Sequence, residues 1–205
     1  MPNAGGMTIR LALPLLLLLP GPALSQPAPS PPMPAPGARP AAAEARRVEL
    51  DRLFEALKTA PDTQGGQMVE ARIRALWGQA VSPATSLLLR RGTRNLQAND
   101  AGEALEDFDA ALVLDPAAPD AWLMRARAQA RLGDRIAAAR DLREALRLEP
   151  RHFGALLQLA ELQEEAGDLA GALRSLDAAL ALHPKLPSGA ERRRDLVRRA
   201  EGDAL

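Results

Sequence analysis

The chain has 205 residues, 26 basic and 26 acidic, with no cysteine, no tyrosine and only 2% aromatic residues. That composition suits packed helices and argues against a sheet, where β-branched and aromatic residues dominate. The missing cysteines exclude disulfides, thiolate metal sites, thiol nucleophiles and an N-terminal lipoprotein anchor, and zero formal net charge leaves no overall field to draw the molecule onto nucleic acid or an acidic membrane.

Residues 1–25 read as a cleavable secretory signal. Arg10 precedes an apolar run from Leu11 to Leu19, Pro20-Gly21 breaks it, and Ala23-Leu24-Ser25 supplies small residues for cleavage before Gln26. Met1 and Met7 are alternative starts, the second giving a shorter n-region. The run falls far short of the ~20 residues a spanning helix needs. The expected mature chain is therefore periplasmic or secreted, without a stable membrane anchor. Its charge is near −1, since only Arg10 leaves with the signal and 25 basic residues face 26 acidic ones. Residues 26–43 hold seven prolines and are expected to form an extended, disordered linker rather than a helix.

Residues 44–82 predict a helical pair. Val48, Leu50, Leu53, Phe54 and Leu57 mark one apolar face, and Met68, Val69, Ile73, Leu76 and Trp77 mark another after the break at Pro61-Asp62. Gly65-Gly66 weakens the second start.

Three blocks of 34 residues follow, at 85–118, 119–152 and 153–186, with prolines at 116, 150 and 184. Position 8 of each block is Gly92, Ala126, Ala160; position 20 is Ala104, Ala138, Ala172; position 27 is Ala111, Ala145, Ala179. Small residues there let neighbouring helices approach, and a leucine would overpack the seam at a cost of ~1–3 kcal/mol. Asn99-Asp100, Gly133-Asp134 and Gly167-Asp168 predict a left-handed helix end followed by an N-cap. Glu103 is placed to complete a capping box. Extending the register backwards puts Glu70 where a small residue is needed, so the 44–82 pair reads either as a degenerate repeat or as a cap over the first true one.

A period of 34 with these small residues, turns and prolines resembles the tetratricopeptide repeat. The resemblance implies an all-α right-handed superhelix over residues 83–205, with three repeats, an irregular helical pair before them and a capping helix at 189–201. In that last helix Ala190, Leu196, Val197 and Ala200 should face inward. Two departures stand out: position 7 is Arg91 and Arg125 in the first two blocks, and position 11 is Asn95, Gln129 and Gln163.

Enzyme motifs are absent: there is no phosphate loop, dinucleotide fingerprint, zinc-protease helix or nucleophile elbow. His152 and His183, the two histidines, lie at block ends and read as surface turn residues. No catalytic residue, metal ligand or cofactor is expected. By the resemblance, positions 2, 5, 9, 12 and 13 line the concave side. The candidate partner-binding residues are Leu89, Thr93 and Leu96 in the first block, Leu123, Arg127 and Arg131 in the second, and Leu157, Glu161, Glu164 and Glu165 in the third. Two readings remain: a protein or peptide partner lies along these leucines and charges, or the leucines are partly core and the charges only a solvated face. The lysine–asparagine pair with which some relatives hold a terminal carboxylate is absent, since Leu89 and Thr93 stand there. Arg192, Arg193, Arg194, Arg198 and Arg199 form a basic run that is either a solvated capping face or an anion contact. Nucleic acid is not an expected partner. The expected role is a non-enzymatic interaction module of the cell envelope, with a self-associating structural component as the alternative.

Overall fold

A computed structural model describes residues 38–202. The expected signal peptide and most of the proline-rich linker lie outside the described residues. All regular structure among them is helical: α1 (Ala38–Lys58), α2 (Thr63–Gly78), α3 (Pro83–Gln97), α4 (Ala101–Leu114), α5 (Pro119–Arg131), α6 (Arg135–Leu148), α7 (Phe153–Glu165), α8 (Leu169–Leu182) and α9 (Gly189–Gly202). Helices α3–α4, α5–α6 and α7–α8 are the hairpins of the three blocks. Each packs on the next, and α9 closes the array.

The local chemistry explains these elements. Asn99, Gly133 and Gly167 adopt φ of 64°, 87° and 79°, the left-handed conformation that ends the first helix of each hairpin. Asp100, Asp134 and Asp168 then accept from the Glu103, Ala137 and Gly171 amides at 3.2, 2.9 and 2.8 Å. The expected capping box is only half made, because the Asp100 amide donates to the Asn95 carbonyl at 2.8 Å. The small positions are fully buried seams: Ala104, Ala111, Ala126, Ala138, Ala145, Ala160, Ala172 and Ala179 have no exposed surface. A Cβ at Gly92 would lie 2.6 Å from the Phe108 ring.

The polar departures are answered within each hairpin. Arg91 donates to the buried Asp107 carboxylate (Nε–Oδ1 2.6 Å), and Asn95 donates to its other oxygen at 3.1 Å. Arg125 makes the same fork to Asp141 at 2.7 and 2.9 Å and reaches Asp109 at 2.8 Å. In the third block the set becomes Leu159, Gln163 and Ser175, with Gln163 and Ser175 paired at 2.6 Å. Positions 7, 11 and 23 thus work together: an arginine at 7 comes with an aspartate at 23, and an apolar residue at 7 comes with a serine.

The structure corrects the reading of the residues before the repeats in three ways. First, α1 begins at Ala38, inside the expected linker. Pro40 falls in its first turn, where a missing N–H costs nothing, and Ala41-Ala42-Ala43 are strong helix formers. Second, Val48 and Met68, expected on apolar faces, are exposed. Third, the pair is not a cap on the first repeat. Its core of Leu50, Phe54, Leu57, Ile73, Leu76 and Trp77 closes on Phe153 of α7 and Leu182 of α8. The pair is a strap running along the edge of the array where the second helix of each hairpin ends.

The first of those ends is tied to the start of α3, and the second and third are tied to the strap. After α4, Asp115 accepts from the Ser82 amide at 2.9 Å and from the Thr85 hydroxyl, and these bonds hold its carboxyl below the usual carboxylate range. After α6, Arg151 pairs with Asp51 of α1 at 2.6 Å and lies 4.4 Å over the Phe54 ring. After α8, His183 meets Glu70 of α2 at 3.2 Å. Gly66 permits that last contact, since a Cβ there would lie 2.8 Å from the imidazole.

At the other end α9 covers the last repeat with Leu196 buried and Val197 and Ala200 half-buried. Ala190, expected inward, is exposed. Four of the five arginines of the basic run are paired within the fold: Arg192 and Arg199 both hold Glu164, Arg193 pairs with Asp177 at 2.6 Å, and Arg198 pairs with Asp195.

Candidate partner-binding groove

The first helices of the hairpins, α3, α5 and α7, put their concave faces into two connected basins. The inner basin, about 620 Å³, has Leu89, Thr93, Leu123, Met124 and Phe153 as walls and Arg90, Arg94 and Arg127 among its polar groups. One wall, Arg74 and Trp77, comes from α2 rather than from any repeat. The outer basin, about 500 Å³, is lined by Leu96, Gln97, Ala130, Arg131, Gln158, Glu161 and Glu165 and shares Thr93, Met124 and Arg127 with the inner one.

Eight of the ten residues expected from the sequence therefore meet in one groove: Leu89, Thr93, Leu96, Leu123, Arg127, Arg131, Glu161 and Glu165. The expected apolar strip is not a uniform surface. Leu123 is 4% exposed and belongs to the core with Ala126 and Leu142. Leu157 faces a different depression, between α2 and α9. Glu164 is not a groove residue, because Arg192 and Arg199 engage it; burial opposes ionisation, but these two hydrogen-bonded cations win and hold it below the usual carboxylate range. Arg131 and Glu165 are exposed, and Glu165 pairs with Arg135 at 3.1 Å.

Arg127 is the least exposed arginine of the groove. Its Nε donates to Gln158 at 3.1 Å and its Nη1 lies 3.7 Å from the Met124 sulfur. Burial, and then the neighbouring Arg74, push its pKa below the ordinary arginine value.

His152 and His183, expected at the surface, are 2% and 0% exposed. His152 caps α7, accepting from the Ala155 amide at Nδ1 (3.3 Å), so its Nε2 carries the proton toward Asp120 at 3.1 Å. Its ring stacks on Trp77 at 4.4 Å, which fixes α2 beside the inner basin. The sequence reading missed Arg74, Trp77 and His152 as groove components. The available signal was Glu70, whose misfit to the repeat register marked a helix with another job. Among the described residues no cluster of three or more potential metal ligands occurs, and no helix is long and apolar enough to cross a membrane.

A solenoid of three 34-residue hairpins with an open concave face defines the helical-repeat class. Residues 89–135 and 126–187 match the family profile described as tetratricopeptide repeat, and the chain belongs to that family. No curated protein matches the chain. Among solved structures it is similar to the first TPR of Spaghetti (RPAP3) bound to the HSP90 peptide SRMEEVD, with 20% identity, a TM-score of 0.55, and coverage of 59% of this chain and 97% of that one. It is also similar to the Yersinia enterocolitica type III secretion chaperone SycD in complex with a peptide of the translocator YopD, with 18% identity, TM-score 0.55, and coverage of 62% and 98%. The TPR2B domain of yeast Sti1 in its pHsp70 complex gives 22% identity, TM-score 0.53, and coverage of 60% and 99%.

Proposed function

We propose that this chain is a non-enzymatic interaction module that binds a segment of a protein partner in the concave groove. The observation that carries the reading is the pair of connected basins, apolar at the walls and charged at the rim, on the inner faces of α3, α5 and α7. Peptide complexes among structures of the same fold support it, as do the absent catalytic motifs. Read with residues 1–25 as an export signal, the partner belongs to the periplasm or the outside of the cell. Sequencing the N-terminus of the mature chain tests that part, with Gln26 as the expected first residue.

Site-specific photo-crosslinking tests the groove. A photoreactive residue at Thr93, inside both basins, is compared with one at Val113, which is 82% exposed and lines neither basin. A partner captured from Thr93 and not from Val113 supports the reading. Capture from Val113 alone, or equal capture from both, contradicts it. A crosslinked homodimer from either site would favour the self-associating alternative.

A further inference from the structure

We propose that the inner basin is the anchor subsite of the groove, and that it takes an apolar side chain of a peptide that carries a carboxylate beside it. This rests on the reading of the groove as a peptide site and specifies what that peptide must contain. The subsite is not made by the repeats alone, because α2 contributes Arg74 and Trp77.

The charge balance of the basin is one-sided. Arg74, Arg90, Arg94 and Arg127 line it with a single carboxylate, Asp120, which is engaged by His152. Arg74 is offset by Glu70 at 2.6 Å, but Glu70 also serves His183. Among the described residues no carboxylate lies within ion-pair distance of Arg90, Arg94 or Arg127. The exposed Arg74 and the half-buried Arg127 line the same basin, and an incoming carboxylate relieves their repulsion and accepts charge-assisted hydrogen bonds. The half-buried Leu89 and Met124 meanwhile offer apolar surface, with the edges of the buried Trp77, Leu123 and Phe153 beneath them, so the occupant should be amphipathic.

The chain's own N-terminal segment does not fit this chemistry, because residues 1–43 contain no aspartate or glutamate. A free small anion fits less well than a peptide. The basin adjoins the outer basin, with Thr93, Met124 and Arg127 lining both, so an extended chain seated in one can continue into the other. The outer lining carries two carboxylates, Glu161 and Glu165, with its two arginines, whereas the inner lining carries four arginines and one carboxylate, so the acidic group is read at the inner end.

The test is a selection of random dodecapeptides on the full chain, followed by affinity measurement of the winners on variants. Arg127→Glu removes the central cation. Arg90→Glu with Arg94→Glu changes only exposed side chains, so it preserves the fold if Arg127→Glu does not. Winners should pair leucine, isoleucine or phenylalanine with a neighbouring aspartate or glutamate, and each variant should weaken them about tenfold or more. Winners with basic or uncharged residues around the apolar one, or winners indifferent to both variants, overturn the acidic-anchor assignment while leaving the groove reading in place. No enrichment at all overturns the groove reading itself.

Discussion

The repeats and the strap are both helical hairpins, yet different chemistry holds them. Inside the repeats the seams are built from absent side chains: alanine and glycine at fixed positions let large apolar residues such as Phe108 and Leu142 pack to zero exposure. The strap is held by one bulky aromatic cluster and two polar ties, at Arg151 and His183. Among the described residues three buried polar atoms lack a partner: Gln129 Oε1 lies within a repeat seam, while Trp77 Nε1 of the strap and His183 Nδ1 at the end of α8 both lie where strap and repeats meet. A buried unpaired polar group costs about 1–3 kcal/mol. The strap is held on the repeats by this one junction, whereas each repeat seam is continuous with the next, so the strap is expected to be the weaker unit and to open first.

The largest test of that difference is Phe108→Ala. It leaves a cavity against Gly92 in a repeat seam and should cost about 4 kcal/mol, lowering the unfolding midpoint of the whole array in denaturant titrations followed by circular dichroism. Trp77→Ala, at about 3 kcal/mol, should act locally instead. Hydrogen exchange should show α1 and α2 losing protection while α5 to α8 keep theirs. Loss of protection across all helices would mean that strap and repeats unfold as one.

Acid should separate the two units more gently. Burial outweighs the attraction of Glu70 and holds the His183 imidazole below its ordinary value, with Arg74 nearby also disfavouring the charged form. The folded state then binds the proton less readily than the unfolded chain, whose value is about 6.5. Stability from this tie is complete above that pH and falls as pH drops below it. Exchange of the α2 amides, corrected for the intrinsic pH effect, should speed up at pH 5.0 relative to pH 7.5 with α5 and α6 unchanged. Equal strap protection at both pH values contradicts this account of His183. The smallest effect belongs to a turn: Asp134→Ala removes one N-cap bond and should cost about 1 kcal/mol in the same denaturant titration.

The repeats were legible because their physics repeats. Close approach demands small residues every 34 positions, and turns demand Asn or Gly before Asp, so each requirement is written three times. The polar set at positions 7, 11 and 23 was visible only as an oddity, since its partners lie on the facing helix. The strap was illegible for the opposite reason. His152 and His183 each occupy a repeat position that holds a different residue in the other blocks, and nothing periodic says that a helix from far upstream will bury them. The groove was half legible: α3, α5 and α7 supplied the expected residues, while Arg74 and Trp77 arrive by tertiary contact. Glu164 was misassigned because α9 reaches back to it.

The central claim is that α2 runs along the array to its third repeat and walls the groove. Paired spin labels measure this directly, and the chain has no native cysteine to interfere. Gln67 and Ser188 line one depression, whereas Leu87 lies on the outer face of α3, exposed where its counterparts Ala121 and Ala155 are buried. The account predicts a short, narrow distance distribution for Gln67→Cys with Ser188→Cys and a longer one for Gln67→Cys with Leu87→Cys. The reverse order would place the helical pair over the first repeat as a cap and contradict the account.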